Sequence, residues 1–561
     1  MKALKTLLAA AALMLTCTAF AQDAPDIQSI VDGMSRREKI GQIIIALTQS
    51  YGGSDRNAEA VAQMRELKLG GVILDVDKPS TGIQLVNELQ EISDIPLLVA
   101  IDGEWGAAMR YYDYTPFPWA MQMGALRDPD LVYKAGKAIG EELGRFGVAV
   151  NFAPVADVNN NPDNPVIGTR SFGENKVKVA QMASAYMLGL KAAGVAGSAK
   201  HFPGHGDTDV DSHVGLPVLQ SDRQRLSDVE LYPFRRLIAD GVDMVMVGHL
   251  SVPALDSSMA PASISRPIVT GLLREEMGFE GIIITDALRM KGLSGNGVDA
   301  SVEAYKAGVD ILLMPLDVRK CIDNLDKAFA SGELDEAGLD ARVSKMLRFK
   351  AKRGMLSESF NRYVDTTGLC EQTVSPDKEA LIQEIADKSL TLVRRGSKVA
   401  VKKFEGCAYV AYCASENSRY LTDRLREKGV TVFELKEGAT NEEIYNLRLE
   451  LNDYKDIIVG FHAGDGRLPS GRPRRSTEIT PEQFKTLSSL GVRHYATGIY
   501  FGNPYDLNDF WKDPGDFNTL IIGYEDSKYN NIAAAKILLG EIEPEGVLPV
   551  AAWNFPCGLS K

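Results

Sequence analysis

The sequence predicts an α/β protein in which a (β/α)8 TIM-like barrel is followed by a smaller α/β domain of sandwich or flavodoxin-like type. Three observations support this prediction. Eight short apolar runs alternate with amphipathic stretches between residue 40 and about residue 317. Nearly every run ends in polar residues, and a second series of apolar runs follows beyond residue 375.

The eight apolar runs are the predicted barrel strands. Helical patterns, with apolar residues three and four apart, separate most of them, as in 57–69 and 176–194. Eight tilted parallel strands close around a filled interior, and barrel chemistry lies at their carboxyl ends, where the polar residues fall. A closed barrel is therefore favoured over an open doubly wound sheet. The runs span residues 40–47, 70–76, 96–102, 148–155, 197–202, 243–250, 281–287 and 311–316.

The chain is expected to divide into a signal peptide (1–21), a catalytic barrel domain (22–355), a connector (356–375) and a C-terminal α/β domain (376–561). In the signal peptide, two lysines precede an apolar run that ends in Ala19-Phe20-Ala21, the small-x-small pattern of a secretory signal. This predicts an exported, periplasmic or extracellular protein. Lipid anchoring at Cys17 is disfavoured, because Met14-Leu15-Thr16 is a poor lipoprotein pattern.

Composition excludes several classes of protein and partner. With 62 Lys and Arg against 75 Asp and Glu, the formal net charge of -13 gives no electrostatic reason to bind nucleic acid or an anionic membrane. Six scattered cysteines without a CxxC pair disfavour a zinc ribbon. Beyond residue 21 no run approaches about 18 apolar residues, so no membrane-spanning segment is expected.

Three of the six histidines fall within KHFPGHGDTDVDSH, residues 200–213. A metal site, a general acid/base and a tight turn built on Pro203, Gly204 and Gly206 are three interpretations of this crowding. The spacing matches no helix-borne HExxH motif, which disfavours metal. Asp211 lies two residues before His213, and a carboxylate there can orient the imidazole and raise its pKa, as a general acid requires.

Two further sets of residues follow predicted strands. Asp286 is the last residue but one of the run GIIITDA and suits a nucleophile that attacks a sugar carbon, although an Asp there is also a common helix N-cap. Asp102, Arg110 and Arg170 follow the third and fourth strands. They suit a grip on the hydroxyls of a terminal sugar ring, while surface ion pairs are the alternative.

These motifs resemble glycoside hydrolase family 3, and in particular its β-N-acetylglucosaminidase branch. The string at 200–213, followed by Leu216-Pro217, is close to diagnostic for that branch, and ITDALRM, GTRSFG and AIDGE occur in the expected order. The stretches FGNPYDL and GVLPVA near the C-terminus resemble the second domain of two-domain members. The resemblance covers nearly all of the chain after residue 21.

The resemblance implies a retaining exo-acting enzyme that needs no cofactor and acts on oligosaccharides from peptidoglycan or chitin. It implies Asp286 as the nucleophile and His213 as the general acid/base, oriented by Asp211. The residues implied to bind the terminal N-acetylglucosamine are Asp102, Arg110, Arg170, Lys200 and His201. One departure is Trp105, where the branch commonly has glycine; its ring would stack on a sugar face or narrow the pocket.

Other functions remain open at this point. A β-glucosidase or β-xylosidase shares the architecture but generally lacks the Asp-x-His string. A catalytically silent glycan-binding protein would have no reason to keep Asp211, His213 and Asp286 together. Phosphorolysis is a secondary possibility, because a histidine acid does not repel an anionic acceptor.

Overall fold

The computed structural model describes residues 26–47, 54–75, 79–111, 113–212, 214–290, 293, 299–369, 375–401, 403–463, 479–510 and 517–561. The predicted signal peptide, Cys17 and His213 lie outside these ranges. In the described part of the chain, no helix is long and apolar enough to cross a lipid bilayer.

Eight parallel strands form the predicted barrel. They pair in chain order from β1 to β7, and β8 lies beside β1. A parallel bridge between Ile284 and Ile311 joins β7 to the β8 side, so the sheet is closed and the open-sheet alternative is wrong. Each predicted run overlaps one strand. The strands are β1 Ile44–Leu47, β2 Gly71–Leu74, β3 Leu98–Ile101, β4 Val150–Asn151, β5 Ala196–Phe202, β6 Met244–Val247, β7 Ile282–Thr285 and β8 Leu312–Leu313.

Helices cover the outside of the barrel, and their ends follow local chemistry. Ser35 and Glu38 form a capping box at one helix start, and Asp128 caps another whose first residue is Pro129. The helices are Ile27–Asp32, Arg36–Gln42, Ser54–Leu67, Pro79–Glu91, Ala120–Gly124, Pro129–Gly144, Lys176–Ala192, Arg223–Asp228, Leu231–Ala239, Ala300–Ala307, Val318–Ala330 and Glu336–Lys352, with a π-helix at Pro267–Glu276.

The barrel interior is a packed core rather than a channel. One strand after another sends a buried apolar side chain into it, including Ile45, Leu98, Val150, Met244 and Ile282. Met346, Phe349 and Met355, from the end of the last barrel helix and the turn after it, pack against the same cluster. Because this interior is filled with apolar side chains, polar chemistry is restricted to the strand ends.

A second lobe contains a six-stranded sheet in the order β11-β10-β12-β13-β14-β9. Its strands are β9 Thr391–Arg394, β10 Cys407–Tyr412, β11 Thr431–Leu435, β12 Asp456–His462, β13 Tyr495–Phe501 and β14 Thr519–Ile522. All pairs are parallel except β14 with β9. The predicted fold class, a barrel followed by a smaller α/β unit, is thus confirmed. The helices of the second lobe are Pro376–Ser389, Arg419–Glu427, Asn441–Glu450, Pro481–Ser488, Leu507–Phe510 and Lys528–Leu538.

Buried polar contacts join the two lobes. Gln122 and Asn530 exchange two amide hydrogen bonds, each 2.9 Å long. The Lys378 ammonium pairs with the Glu142 carboxylate, and both side chains are buried. Tyr505 of the second lobe reaches Asn159 on the segment after β4. The second lobe is therefore fixed against the segments that follow the barrel strands.

Candidate active site

One pocket at the carboxyl ends of the barrel strands collects most of the predicted site residues. The strand ends converge there because all eight strands run in the same direction. Apolar groups, among them Met246, Leu313 and Met314, complete its wall. The predicted residues that line it together are Asp102, Arg110, Arg170, Lys200, His201 and Asp286.

Asp102 joins two cations at the pocket. Its Oδ1 accepts from Lys200 Nζ at 2.9 Å and its Oδ2 accepts from Arg110 Nη2 at 2.8 Å. Lys200 comes from within β5, whereas Arg110 follows a short 3-10 turn at Ala107–Met109. These contacts are partly or fully buried, so the interpretation of these residues as surface ion pairs is wrong.

Glu104 is a member of this charged group that the sequence analysis did not place in the site. Its Oε1 lies 2.6 Å from Arg170 Nη2 and 2.8 Å from Lys200 Nζ, and its Oε2 accepts from Arg170 Nε at 2.9 Å. The guanidinium is thus held bidentately, and its remaining Nη1 donates to the Val166 carbonyl. The sequence feature that could have identified Glu104 is its position two residues after Asp102, just beyond β3.

The charges stabilise one another inside the protein. Burial favours the neutral form of Asp102, but Lys200 and Arg110 outweigh burial and hold its pKa well below the ordinary value. Burial likewise opposes ionisation of Glu104, yet Arg170 and Lys200 lower its pKa to about 2. Burial also opposes the charged forms of Lys200 and Arg170, but the same carboxylates outweigh burial and raise the pKa of both groups. At neutral pH the pocket wall therefore carries fixed charges of both signs.

His201 is oriented by a carboxylate that the sequence analysis missed as a site residue. Asp157 is fully buried, and its Oδ2 lies 2.7 Å from His201 Nδ1. The same carboxylate accepts from the backbone N–H groups of His201 and His205. An ionised carboxylate can only accept, so it places the imidazole proton on Nδ1 and leaves His201 Nε2 as the ring's other hydrogen-bonding atom. Asp157 lies 44 positions before His201, so no local motif announced the pair.

His205 also lines the pocket, although the sequence analysis gave it no role. Its Nδ1 lies 2.7 Å from the Thr208 hydroxyl, and its buried Nε2 has no hydrogen-bond partner in the described ranges. Burial, with the neighbouring His201, lowers its pKa to about 4. The turn interpretation explains Gly206, because a Cβ there would lie 2.0 Å from the Val158 carbonyl oxygen.

Asp286 directly follows β7. Its backbone N–H donates to the Val247 carbonyl of β6 at 2.9 Å, and its Oδ1 accepts from the Ala287 N–H at 2.7 Å. No helix begins at this position, so the N-cap interpretation is wrong. Fully buried His249 supports the same turn, because its Nε2 lies 3.0 Å from the Ala287 carbonyl and therefore donates to it.

The segment that carries the predicted acid/base is described in part. Ser212 is buried and lines the pocket. Asp211 is half-buried and is not one of the lining residues, although its carbonyl accepts from the backbone N–H groups of Val214 and Gly215. His213 itself lies outside the described residues. In the described ranges, no group of three or more His, Cys, Asp and Glu side chains is arranged to hold a metal ion.

Trp105 lies in the core and not at the pocket. Only 4% of its surface is exposed, its ring centroid is 4.6 Å from that of Trp119, and it is not one of the lining residues. The expectation that it stacks on a sugar or narrows the pocket is therefore wrong. Sequence alone could not show that this side chain points away from the strand ends.

Charged side chains gathered at the carboxyl ends of barrel strands are typical of an enzyme, and a strand-end carboxylate beside buried acids and cations suits glycoside hydrolysis. Residues 35–349 match the model of the glycosyl hydrolase family 3 N-terminal domain. The chain is 31% identical over 542 residues to β-hexosaminidase A of Pseudoalteromonas piscicida, with 86% of this chain and 89% of that protein covered. The chain belongs to glycosyl hydrolase family 3.

Two other relatives refine this similarity. The β-N-acetylglucosaminidase/β-glucosidase of Cellulomonas fimi is 30% identical, over 68% of this chain and 69% of that protein. The structure of a family 3 β-N-acetylglucosaminidase from Paenibacillus sp. FPU-7 superposes with a TM-score of 0.77 at 30% identity. The superposition covers 93% of this chain and 99% of the Paenibacillus chain, so the similarity includes both lobes.

Proposed function

We propose that the protein is an exo-acting, retaining β-N-acetylglucosaminidase. It removes terminal β-linked N-acetylglucosamine from the non-reducing ends of peptidoglycan fragments or chitooligosaccharides. The observation that carries the proposal is the pocket that brings Asp286 together with the charged group of Asp102, Glu104, Arg110, Arg170 and Lys200. The names of the Pseudoalteromonas and Paenibacillus proteins support the choice of sugar.

In the proposed mechanism the charged group binds the outer hydroxyls of the terminal sugar, and His201 Nε2 accepts a hydrogen bond from one of them. Protonated His213, oriented by Asp211, gives its proton to the glycosidic oxygen as the bond from that oxygen to the anomeric carbon breaks. The Asp286 carboxylate attacks the same carbon and forms a glycosyl-enzyme ester. Neutral His213 then takes a proton from water, and the resulting attack at the anomeric carbon releases the sugar and frees Asp286.

Export is part of the proposal and rests on the first 21 residues alone. The mature chain would begin at Gln22, with the catalytic domain extending to residue 355 and the C-terminal domain beginning at residue 376. An exported enzyme of this kind meets glycans outside the cytoplasm, which fits wall fragments and chitooligosaccharides as substrates.

The second candidate is a β-glucosidase or β-xylosidase, and the name of the Cellulomonas relative favours the glucosidase of these two. A set of aryl β-glycosides that differ only at the sugar 2-position separates the N-acetylglucosaminidase from the glucosidase, and an aryl β-xyloside, which lacks the hydroxymethyl group, tests for the xylosidase. We expect kcat/KM for the N-acetylglucosaminide to exceed that for the glucoside by at least about 100-fold, because a site built around an amide leaves polar groups unpaired with the smaller substrate. Equal or greater activity on the glucoside would instead assign a glucosidase.

The same assay is run with and without inorganic phosphate. We expect free N-acetylglucosamine and no sugar-1-phosphate in both arms, since water is the proposed acceptor. Phosphate-dependent formation of a sugar-1-phosphate would show phosphorolysis. Absence of turnover on every glycoside, together with measurable sugar binding, would identify a silent glycan-binding protein.

A further inference from the structure

Arg170 lies on a long segment between β4 and the helix Lys176–Ala192. We call residues 159–170 of this segment the Arg170 loop. Arg170 ends a 3-10 turn, Gly168–Arg170, and the two residues before that turn, Val166 and Ile167, line the pocket. The position of this loop therefore sets both a cation of the charged group and part of the pocket wall.

Asn159 holds the two ends of the Arg170 loop together. Its side-chain Oδ1 accepts from the Gly168 N–H at 3.1 Å, at the first residue of the turn that carries Arg170. Its own backbone N–H donates to the Gly173 carbonyl at 3.0 Å. Asn159 is fully buried, so these bonds are shielded from competition by water. A shift of Asn159 would therefore move the turn Gly168–Arg170 directly.

Tyr505 of the second lobe fixes Asn159. The Tyr505 hydroxyl donates to the Asn159 carbonyl at 2.7 Å and accepts from Asn159 Nδ2 at 3.1 Å. Tyr505 is 1% exposed and lies in the turn Pro504–Asp506, shortly after β13. One hydroxyl therefore engages both the backbone and the side chain of the residue that organises the Arg170 loop.

We propose that Tyr505 is a positioning residue for substrate binding, which acts on Arg170 through Asn159 and the Gly168 turn. In the described part of the chain, the residues that line the pocket come from the barrel, between Asp102 and Met314, and Tyr505 is not among them, so Tyr505 acts on the sugar indirectly. Arg170 is in turn bonded to Glu104, which also holds Lys200. A shift of the loop would therefore disturb the charged group as a unit. The substrate side of this inference rests on the proposed function.

The test compares Tyr505→Phe with a matched control, Tyr524→Phe. Both substitutions remove one buried hydroxyl from the second lobe, but Tyr524 bonds Thr391 within that lobe, at 2.6 Å. We expect Tyr505→Phe to lower kcat/KM about tenfold, mainly through KM, because the grip acts on bound substrate before and during reaction. Tyr524→Phe should stay within about twofold of the wild type at a similar loss of melting temperature.

A double-mutant cycle with Arg170→Lys separates positioning from simple docking of the lobes. If Tyr505 acts through Arg170, adding Tyr505→Phe to the Arg170→Lys variant should lower kcat/KM by less than about twofold. Two results would overturn the proposal: an unchanged kcat/KM in Tyr505→Phe, or full additivity of the two substitutions. All variants are assayed on whichever aryl β-glycoside the wild type cleaves best, so the outcome can be read even if the N-acetyl preference is wrong.

Discussion

Replacing Asp286 by alanine is expected to lower kcat on an aryl β-N-acetylglucosaminide by about four orders of magnitude or more, since the proposed nucleophile is then lost. The melting temperature should change little. The side chain is half-buried, and the substitution removes the short hydrogen bond from the Ala287 N–H, worth about 1 kcal/mol. Steady-state kinetics and thermal unfolding check both expectations.

Chemical rescue sharpens this result. Azide should occupy the space left by the carboxylate and attack the anomeric carbon from the same side, so Asp286→Ala with azide should form the α-glycosyl azide. Asp209→Ala is the matched control, because Asp209 is an exposed carboxylate of the same 200–213 motif that does not line the pocket. It should retain activity within a fewfold. Substantial unrescued activity in Asp286→Ala would remove this residue from the role of nucleophile.

Replacing Glu104 by glutamine is expected to produce the second largest effect, on folding and turnover together. The neutral amide leaves buried Arg170 and Lys200 without one of their shared counter-charges. Breaking a buried ion pair on one side costs about 3–5 kcal/mol of folding free energy. We expect the free energy of unfolding in urea at pH 7 to fall by an amount of that order. We also expect kcat/KM to be at least about 100-fold lower, because the charged group that binds the sugar is no longer held in place.

The pH dependence of this loss has a defined sign. The Glu104 pKa lies near 2 in the folded protein, below its ordinary value of 4.5. Its ionised pairs therefore stabilise the fold above about pH 4.5, and this contribution is lost as the pH falls toward 2. The difference in unfolding free energy between wild type and Glu104→Gln should narrow over that window.

The control for this loss is Asp94→Asn. It removes an exposed partner of Lys68, a pair worth at most about 1 kcal/mol. If Glu104→Gln costs no more than Asp94→Asn at pH 7, the buried charged group does not support the fold as described.

The strand ends explain how much of the site could be predicted. Period and polarity located all eight strands, and the common direction of parallel strands then brings Asp102, Lys200 and Asp286 to one pocket. The pairing of Asp157 with His201 could not be found in this way, because the two residues are distant in sequence. Trp105 shows the opposite error, since a residue next to the site by sequence packs into the core against Trp119.

The second lobe was predicted in kind but not in detail. Among the described residues of the apolar run 398–414, which belongs to the second series, a strand forms only at Cys407–Tyr412, whereas the short β9 was not predicted. β9 occupies the sheet edge and pairs antiparallel with β14, so partner strands distant in sequence decide its structure. The contact of Tyr505 with Asn159 is likewise set by how the lobes dock, which no local pattern encodes.

The central claim is that Asp286 forms a covalent bond to the sugar. A 5-fluoro-N-acetylglucosaminyl fluoride slows both chemical steps while its good leaving group favours the first, so the ester should accumulate. Mass spectrometry of a tryptic digest should then find one added sugar on the peptide 275–289, with fragment ions placing it on Asp286. A label on another residue, or turnover that inverts the anomeric configuration without any label, would contradict the mechanism.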